Sequence, residues 1–339
     1  MDFDRVMAAA ASCGAGRYRE ALRRAAYAGA TYDAAGVPAE LAERLEREAP
    51  RLSVTPRAVA ASADGSAVKA RLALRDGREI ESVLLRPSAA RRTVCLSSQA
   101  GCAMACSFCA TGLSGLARDL TAEEIWDQVL FWRARLAESG GKGAPMNLVF
   151  MGMGEPLANY DALARALREL TAPRGFGLAP SRVAVSTAGV APAIERFAEE
   201  FAGFPLAVSL HAATDPLRDR LVPLNRAYPL ERLAAALRAY LARSRRKLLV
   251  EYVLLKDAND RAEDAEALAS YLSGLGPRER LHVNLIDFNP TATSHAPASE
   301  ARARAFHEAL RAAGFAATRR RNRGRDVAGA CGQLAAHAA

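Results

Sequence analysis

Strand-like and helix-like segments alternate through most of this 339-residue chain. Beyond Arg91, short apolar runs are followed by stretches with apolar residues at helical spacing, such as 122–136 and 232–241. This order indicates parallel strands joined by helical crossovers, and six such units predict an α/β fold built as a partial, open barrel. The six candidate strands are 93–97, 147–151, 182–186, 206–211, 248–255 and 282–288.

Residues 1–50 carry a different pattern and are predicted to form a small helical accessory domain. Apolar residues recur at helical spacing in 17–28 and in 38–48. One face of the first helix is basic, and it either contacts phosphates of a nucleic acid or is simply a solvated helix face. The residues of that face are Arg17, Arg19, Arg23 and Arg24.

Residues 51–90 are predicted to be a short β-rich connector between the helical domain and the barrel of residues 91–339. Alternating short strands are interrupted by Asp64-Gly65 and by Asp76-Gly77. Both dipeptides are typical of tight turns in β-hairpins.

Three cysteines, Cys102, Cys106 and Cys109, follow the first predicted barrel strand with the spacing C-x3-C-x2-C. Cysteine thiolates at such short spacing hold iron–sulfur clusters, and a cube with three protein ligands leaves one iron open to a chelating molecule such as S-adenosylmethionine. The alternative is a structural zinc site, which would need a fourth ligand such as Cys95. Separated cysteine pairs are more typical of zinc, so the spacing favours a 4Fe–4S cluster.

The remaining composition suggests a reducing compartment and an acidic partner. Six cysteines, three of them scattered and including Cys13, do not form the framework of a small secreted protein, and Cys13 is interpreted as structural. No apolar run is long enough to span a membrane, so a cytoplasmic location and no membrane partner are expected. The net charge of +9 indicates a nucleic acid partner. The alternative is that the many arginines and alanines only reflect the base composition of the genome.

Small or polar residues follow the predicted barrel strands. Gly154 and Glu155 follow the second strand, Ser186 ends the third, and Ser209 and His211 lie in the last residues of the fourth, while Asn289 comes after the sixth. In parallel α/β barrels the carboxyl ends of the strands form the active-site face. These side chains are therefore expected to surround one mouth together with the cysteine loop.

Four ordered motifs carry a resemblance to a known family. They are RTVCLSSQAGC at 92–102, MGMGEP at 151–156, SLHA at 209–212 and ACGQL at 330–334. Together they resemble the RlmN/Cfr family of radical S-adenosylmethionine RNA adenine methyltransferases, and the likeness extends over nearly the whole chain. It implies a radical SAM partial (β/α)6 barrel and a folded RNA substrate.

The resemblance also implies roles for individual residues. Cys102, Cys106 and Cys109 match the ligands of the 4Fe–4S cluster. Cys331 matches the cysteine that carries a methyl group, Cys95 the cysteine that resolves the enzyme–RNA adduct, and Glu81 the proton acceptor. The residues that match those holding S-adenosylmethionine are Gly154, Glu155, Ser186, Ser209, Leu210, His211 and Asn289.

In the family's scheme, Cys331 is first methylated, and its methyl group becomes a radical that adds to the adenine ring. Cys95 then attacks Cys331, which releases the methylated RNA and leaves a disulfide. Ring carbons of adenine are poor nucleophiles, which explains the radical route. A reducing partner such as flavodoxin and a monomeric enzyme are expected on the same basis. A basic segment that contains Arg319, Arg320, Arg321, Arg323 and Arg325 lies just before Cys331, and it either binds phosphates or is a solvated basic tail.

The resemblance leaves the reaction's target open. C2 of an adenosine in 23S rRNA, and in tRNA as well, is the leading hypothesis, and C8 of an rRNA adenosine is the second. A third is an iron–sulfur RNA-binding protein without methyl transfer, against which the presence of both Cys95 and Cys331 speaks. The sequence departs from the family pattern at Leu116-Ala117, Asp287 and Asn322, which bears on the RNA target rather than on the chemistry.

Overall fold

A computed structural model describes residues 3–12, 14, 16–88, 91–138, 146–320 and 322–335 of the chain. Two residues discussed above, Cys13 and Arg321, lie outside the described residues. The helices are α1 Phe3–Ser12, α2 Arg19–Ala28, α3 Ala39–Glu48, α4 Ala110–Leu113, α5 Ala122–Glu138, α6 Tyr160–Thr171, α7 Ala191–Glu200, α8 Asp215–Leu221, α9 Leu230–Arg243, α10 Ala262–Ser273 and α11 Glu300–Ala312. The strands are β1 Val54–Ala61, β2 Ala67–Leu74, β3 Glu79–Ser88, β4 Arg91–Cys95, β5 Gln99–Gly101, β6 Leu116–Asp119, β7 Met146–Phe150, β8 Val183–Thr187, β9 Leu206–Ser209, β10 Leu248–Leu254, β11 Leu281–Asp287 and β12 Ala316–Arg320.

One mixed sheet organises the described part of the chain, with the order β1-β2-β3-β4-β7-β8-β9-β10-β11-β12. From β4 to β12 all neighbouring pairs are parallel. The α/β fold with its six predicted barrel strands is therefore confirmed. Helices cover the outside of these strands, and Leu148, Val185 and Leu206 are completely buried beneath them.

A seventh parallel strand, β12, was not predicted from the sequence. It pairs with β11 from His282↔Ala316 to Ile286↔Arg320. Its sequence, AATRR, lacks the apolar run that marks the other barrel strands, so the sequence analysis treated its arginines as part of a phosphate-binding segment. Pairing to a buried neighbour overrides the weak local pattern.

The strands before the barrel extend the same sheet. Both predicted hairpins are present: β1 and β2 are antiparallel, as are β2 and β3, and β3 then pairs antiparallel with β4. Gly65 and Gly77 have φ of 67° and 84°, which explains why glycine follows aspartate in each turn. As a result β3 runs directly beside the first barrel strand.

The N-terminal helices pack against the outside of α5. Gly29, just after α2, lies so close to α5 that an added Cβ would be 2.8 Å from the carbonyl oxygen of Leu130. Tyr32 anchors the other side of this unit by donating from its hydroxyl to the Ala49 carbonyl at 2.7 Å. The helix α1 lies within the predicted helical domain of residues 1–50, although the sequence analysis singled out only the segments 17–28 and 38–48.

Candidate active site

The three clustered cysteines lie on a loop held between β5 and β6. Those two short strands form a hairpin, and the amide of Cys102 donates to the Gly115 carbonyl at 2.7 Å. Gly101 is indispensable here, since a Cβ at this position would be 2.0 Å from that carbonyl oxygen. Ala105, between the first two cysteines, has φ of 50°, an unfavourable value for alanine that the surrounding loop enforces.

The cysteine loop fits a multinuclear cluster better than a single metal ion. Cys102, Cys106 and Cys109 line one cavity, yet within the described ranges no three His, Cys, Asp or Glu side chains are grouped around a point that one ion could occupy. In a 4Fe–4S cube each cysteine binds a different iron, so such convergence is not required. Burial raises the pKa of Cys102 to about 11 and also raises that of Cys106, so these thiols are poised to ionise only on metal binding.

The predicted strand-end residues surround the same cavity. Its volume is about 170 Å³, and it lies at the carboxyl ends of the barrel strands. Leu210 differs from the rest, because its side chain is buried in the main core and does not line the cavity. The residues named from the sequence that do line it are Cys102, Cys106, Cys109, Gly154, Glu155, Ser186, Ser209, His211, Asn289 and Cys331.

Glu155 is a buried carboxylate fixed by backbone amides. Its Oε1 accepts from the amide of Leu157 at 2.9 Å and its Oε2 from the amide of Ala188 at 2.6 Å. Burial raises its pKa to about 6, although these amide bonds oppose the shift. The Thr187 side chain also hydrogen-bonds Glu155, which leaves the carboxylate one free lone pair to accept from an amino group in the cavity.

His211 is a neutral histidine with a fixed tautomer. Its Nδ1 accepts from the amide of Val253 at 3.1 Å, which places the ring proton on Nε2. Burial lowers its pKa to about 3. The backbone has φ of 59° and is held there by Asn259, whose Nδ2 donates to the His211 carbonyl at 2.7 Å. Asn259 was missed by the sequence analysis, where it lies in an unremarked loop after the fifth predicted strand.

Asn289 provides the clearest sign that the cavity receives a polar ligand. It is 2% exposed, and its Oδ1 is buried without any hydrogen-bond partner, while its Nδ2 donates to the Cys331 carbonyl at 3.0 Å. A buried carbonyl oxygen without a donor costs free energy unless a ligand supplies one. The amino or hydroxyl groups of S-adenosylmethionine are donors of this kind, so the residues present fit that cofactor.

Cys331 lies between this cavity and a second one. The second cavity, of about 600 Å³, is lined by Cys95, Cys331, Thr93 and Asn147, and by none of the three loop cysteines. It extends through the barrel interior towards the amino ends of the strands. Cys331 has exposed surface, yet the protein around its thiol excludes enough water to raise the pKa of Cys331.

Cys95 and Cys331, distant in sequence, are brought together as predicted from the resemblance. Their thiols are close enough that the charge of one would raise the pKa of the other. Burial is the larger effect, and it raises the pKa of Cys95 to about 12. The loop of Cys331 is held by the cysteine loop, because the Ala110 amide donates to the Gly332 carbonyl at 2.8 Å. Cys95 lines the second cavity and not the cavity of the three loop cysteines, so the structure does not group it with them as a fourth ligand.

A buried ion pair, missed by the sequence analysis, lies beside the two cysteines. Arg320 on β12 pairs with Glu251 on β10 at 3.2 Å, and Asn284 also donates to Glu251, at 2.8 Å. The Arg320 guanidinium lowers the pKa of both Cys95 and Cys331 against the effect of burial. A lone glutamate within the apolar run LLVEYVLL was the available signal, since buried charges need partners.

Glu81, the predicted proton acceptor, does not line the cofactor cavity. It is buried on β3, where Oε1 pairs with Lys69 at 2.9 Å and Oε2 accepts from the amide of Ala335 at 2.9 Å. The backbone carbonyl of Glu81 accepts from the Ser97 hydroxyl at 2.6 Å. In this conformation the segment after Cys331 therefore covers the carboxylate.

Part of the basic segment before Cys331 is used inside the protein. Arg319 pairs with Asp287 at 3.0 Å and with Glu300 at 2.6 Å. Together with the Arg320 pair, these contacts correct the prediction that the whole segment serves phosphates, because carboxylates on β10, β11 and α11 neutralise two of its arginines. Arg323 and Arg325 are not paired in this way in the described structure.

The N-terminal basic face is also partly occupied. Arg23 pairs with Glu20 and donates to the Arg174 carbonyl, so it is not available to phosphates in this arrangement. Arg17, Arg19 and Arg24 are exposed. Among the described residues no helix combines the length and the apolar character that crossing a bilayer requires.

Comparisons with known proteins agree with this geometry. Residues 96–272 match the family model of the radical SAM superfamily. The chain is 48% identical over 304 residues to a "Probable dual-specificity RNA methyltransferase RlmN" of Moorella thermoacetica, with 88% of this chain and 84% of that protein covered. It is 44% identical over 335 residues to the "Dual-specificity RNA methyltransferase RlmN" of Sorangium cellulosum, with the same coverage of 88% and 84%.

A solved structure gives the same result for the fold. The "radical SAM methyltransferase from Sphaerobacter thermophilus" superposes with a TM-score of 0.90 at 42% identity, covering 99% of this chain and 98% of that one. This family uses a 4Fe–4S cluster and S-adenosylmethionine, for which the cysteine loop and the cavity provide suitable ligands. From the sequence match, the superposition and the site together, the chain belongs to the RlmN family of radical SAM RNA methyltransferases.

Proposed function

We propose that this enzyme methylates C2 of an adenosine in 23S rRNA, with tRNA as a second substrate, through a methyl group carried on Cys331. The observation that carries the proposal is the position of Cys331, which borders the cofactor cavity on one side and the Cys95 cavity on the other. Relatives named as dual-specificity RNA methyltransferases support two classes of RNA. We further propose that the enzyme is a monomer that works in the cytoplasm. Flavodoxin or a similar protein would be its electron donor.

The residues around the first cavity hold the cofactors. Cys102, Cys106 and Cys109 would bind three irons of the cluster, and Glu155 and Asn289 would bind the amino and hydroxyl groups of S-adenosylmethionine. When bound, these groups supply the methyl group and the radical that activates it. His211, neutral and locked by Val253 and Asn259, keeps the end of β9 in the shape that this cavity needs.

Cys331 carries the methyl group from one cavity to the other. Its sulfur accepts the methyl group, and after loss of one hydrogen atom that carbon bonds to the adenine ring. The target adenosine must leave its stack to reach Cys331, and the 600 Å³ cavity is large enough for an extruded nucleotide. Polar residues such as Thr93 and Asn147 line this cavity and can hydrogen-bond the edges of a base.

Release requires Glu81 and Cys95. Glu81 accepts the ring proton once the segment containing Ala335 moves away from its Oε2, and the cluster would take up the one electron that this leaves on the ring. The Cys95 thiolate then attacks the Cys331 sulfur. The sulfur–carbon bond breaks, its electron pair stays on the carbon, which takes up a proton, and a Cys95–Cys331 disulfide remains. Arg320 favours this step, because its guanidinium stabilises negative charge on either sulfur.

The test is nucleoside mass spectrometry of rRNA and tRNA after incubation with anaerobically reconstituted enzyme, reductant and S-adenosylmethionine. We expect 2-methyladenosine from both RNAs, and none with Cys331→Ala. The Ser114→Ala variant, changed on the exposed side of the cysteine loop, should remain active. Formation of 8-methyladenosine would overturn the choice of C2, and full activity of Cys331→Ala would overturn the carrier role.

A further inference from the structure

A cleft that shares Arg323 with the second catalytic cavity collects three arginines. It has a volume of about 500 Å³ and lies between the β1–β2 turn, the facing ends of β3 and β4, and the segment after β12. We call it the arginine cleft, and its lining residues are Asp64, Gly65, Ser66, Arg86, Ser88, Arg92, Leu136 and Arg323.

The arginines of this cleft differ from Arg319 and Arg320 in having no carboxylate at ion-pair distance, and Asp64 acts on Arg323 only through its charge at longer range. Within the described chain, the side chains of Arg86 and Arg92 form neither an ion pair nor a hydrogen bond, and Arg323 only donates to the Pro87 carbonyl at 3.4 Å. Arg319 and Arg320, a few residues away in sequence, are both neutralised by carboxylates. Unpaired guanidinium groups around one concave space create a site for anions.

Ser66 supplies a second and independent sign of a ligand. It is 6% exposed and lines the cleft, yet its buried Oγ lacks a hydrogen-bond partner. The nearby Asp64 carboxylate does not satisfy it in good geometry, although Ser66 lies close enough to help lower the pKa of Asp64 to about 2, after the larger effect of Ser62. A hydroxyl group without a partner can donate to a phosphate oxygen.

The charge of the cleft remains positive despite Asp64. Its Oδ1 accepts from the Ser62 hydroxyl at 2.7 Å and from the Ser66 amide at 2.9 Å, so this carboxylate is already bonded within its own turn. Three guanidinium groups facing one carboxylate leave a net charge of about +2. Guanidinium groups match phosphate oxygens in a bidentate geometry and stay charged at every physiological pH.

We propose that the arginine cleft binds backbone phosphates of the RNA substrate. This inference rests on the proposed function and adds a positioning site to it. RNA is the partner of matching chemistry, since proteins fix the register of a nucleic acid mainly through phosphate contacts from arginine, serine and similar side chains. Phosphate contacts carry no sequence information, so the cleft contributes affinity and register.

The cleft is connected to the catalytic cysteine through the chain itself. Arg323 belongs to the segment that leads to Cys331, and that segment is docked on the β1–β2 turn: Gly324 packs against Ala67, and the Ala63 amide donates to Asp326 at 2.8 Å. A phosphate held by Arg323, Arg86 and Arg92 would therefore bind both sides of this contact. RNA in the cleft and the Cys331 segment hold each other in place.

The test compares RNA binding by Arg86→Gln/Arg92→Gln with that by Arg243→Gln/Arg311→Gln, which removes the same charge from the outer helices α9 and α11. Dissociation constants for a short RNA hairpin with an adenosine in its loop are measured at several salt concentrations. Each lost phosphate contact should lower the salt slope by about 0.7, which corresponds to about fivefold in affinity at 0.1 M salt. We expect about 25-fold weaker binding for the cleft variant, with S-adenosylmethionine binding unchanged.

Equal dissociation constants and equal salt slopes for the two double variants would overturn the inference. Failure of this inference can be distinguished from failure of the proposed function, because RNA binding is measured without turnover. If the wild-type enzyme methylates no RNA while the cleft variant still binds RNA more weakly than its control, the phosphate site stands and the proposed reaction fails.

Discussion

Glu155 should make the binding of S-adenosylmethionine dependent on pH. Its pKa of about 6, against 4.5 for an ordinary glutamate, shows that burial favours the protonated form by about 2 kcal/mol. The ionised carboxylate is the stronger hydrogen-bond acceptor for the cofactor's amino group, so affinity is full well above pH 6 and decreases as the pH falls through this value. His211, with a pKa of about 3, stays neutral over this range and does not contribute.

The magnitude follows from the fraction of Glu155 that is ionised. With a pKa of about 6, the affinity should be about twofold lower at pH 6 and about fourfold lower at pH 5.5 than at pH 8. Isothermal titration calorimetry of the reconstituted protein, in buffers of different ionisation enthalpy, should also detect about half a proton released per cofactor at pH 6.

A matched pair of variants separates this carboxylate from its surroundings. Ser209→Ala should weaken binding yet keep the pH dependence, whereas Glu155→Gln should remove the dependence. Equal affinities at pH 5.5 and pH 8 for the wild-type protein, or an unchanged dependence in Glu155→Gln, would refute the argument.

Three further predictions concern stability, each measured by urea denaturation. Arg320→Gln leaves Glu251 buried without a cation and should lower the free energy of unfolding by about 2 kcal/mol. This is less than the roughly 3–5 kcal/mol typical of broken buried pairs, because Arg320 is partly accessible to water. An equal loss of stability in the exposed variant Arg304→Gln would contradict the prediction. Gly154→Ala places a Cβ 2.5 Å from that of Gln99 at φ of 98° and should cost about 1–3 kcal/mol, and unchanged stability would show that this close approach is not required. Tyr32→Phe removes the hydrogen bond to Ala49 and should lower the free energy of unfolding by about 1 kcal/mol. The control is Tyr18→Phe, for which we expect unchanged stability.

The barrel could be predicted because its strands are strongly apolar and each is followed by a helical pattern. The strand β12 was missed because AATRR is stabilised by pairing with β11 and by carboxylates elsewhere in the fold, neither of which is visible locally. The two hairpins were predicted because Asp-Gly turns depend on local backbone geometry alone.

The candidate site was predicted to a similar extent and for related reasons. Strand-end residues such as Glu155 and Asn289 converge because parallel strands end at one face, which follows from topology. The pairing of Arg320 with Glu251 depends on the register of β10, β11 and β12, and the sequence does not determine it. For the same reason, the contact between Glu81 and the segment after Cys331 could only be found in the structure.

The most direct test of the account is to trap the bond between Cys331 and RNA. The Cys95→Ala variant, incubated anaerobically with S-adenosylmethionine, reductant and RNA and then digested with nuclease and protease, is analysed by tandem mass spectrometry. The account predicts a methylene-linked adenosine on the peptide that contains Cys331, because no thiolate remains to attack its sulfur. Release of free methylated RNA at the wild-type rate by Cys95→Ala, with Cys331 unmodified, would contradict it.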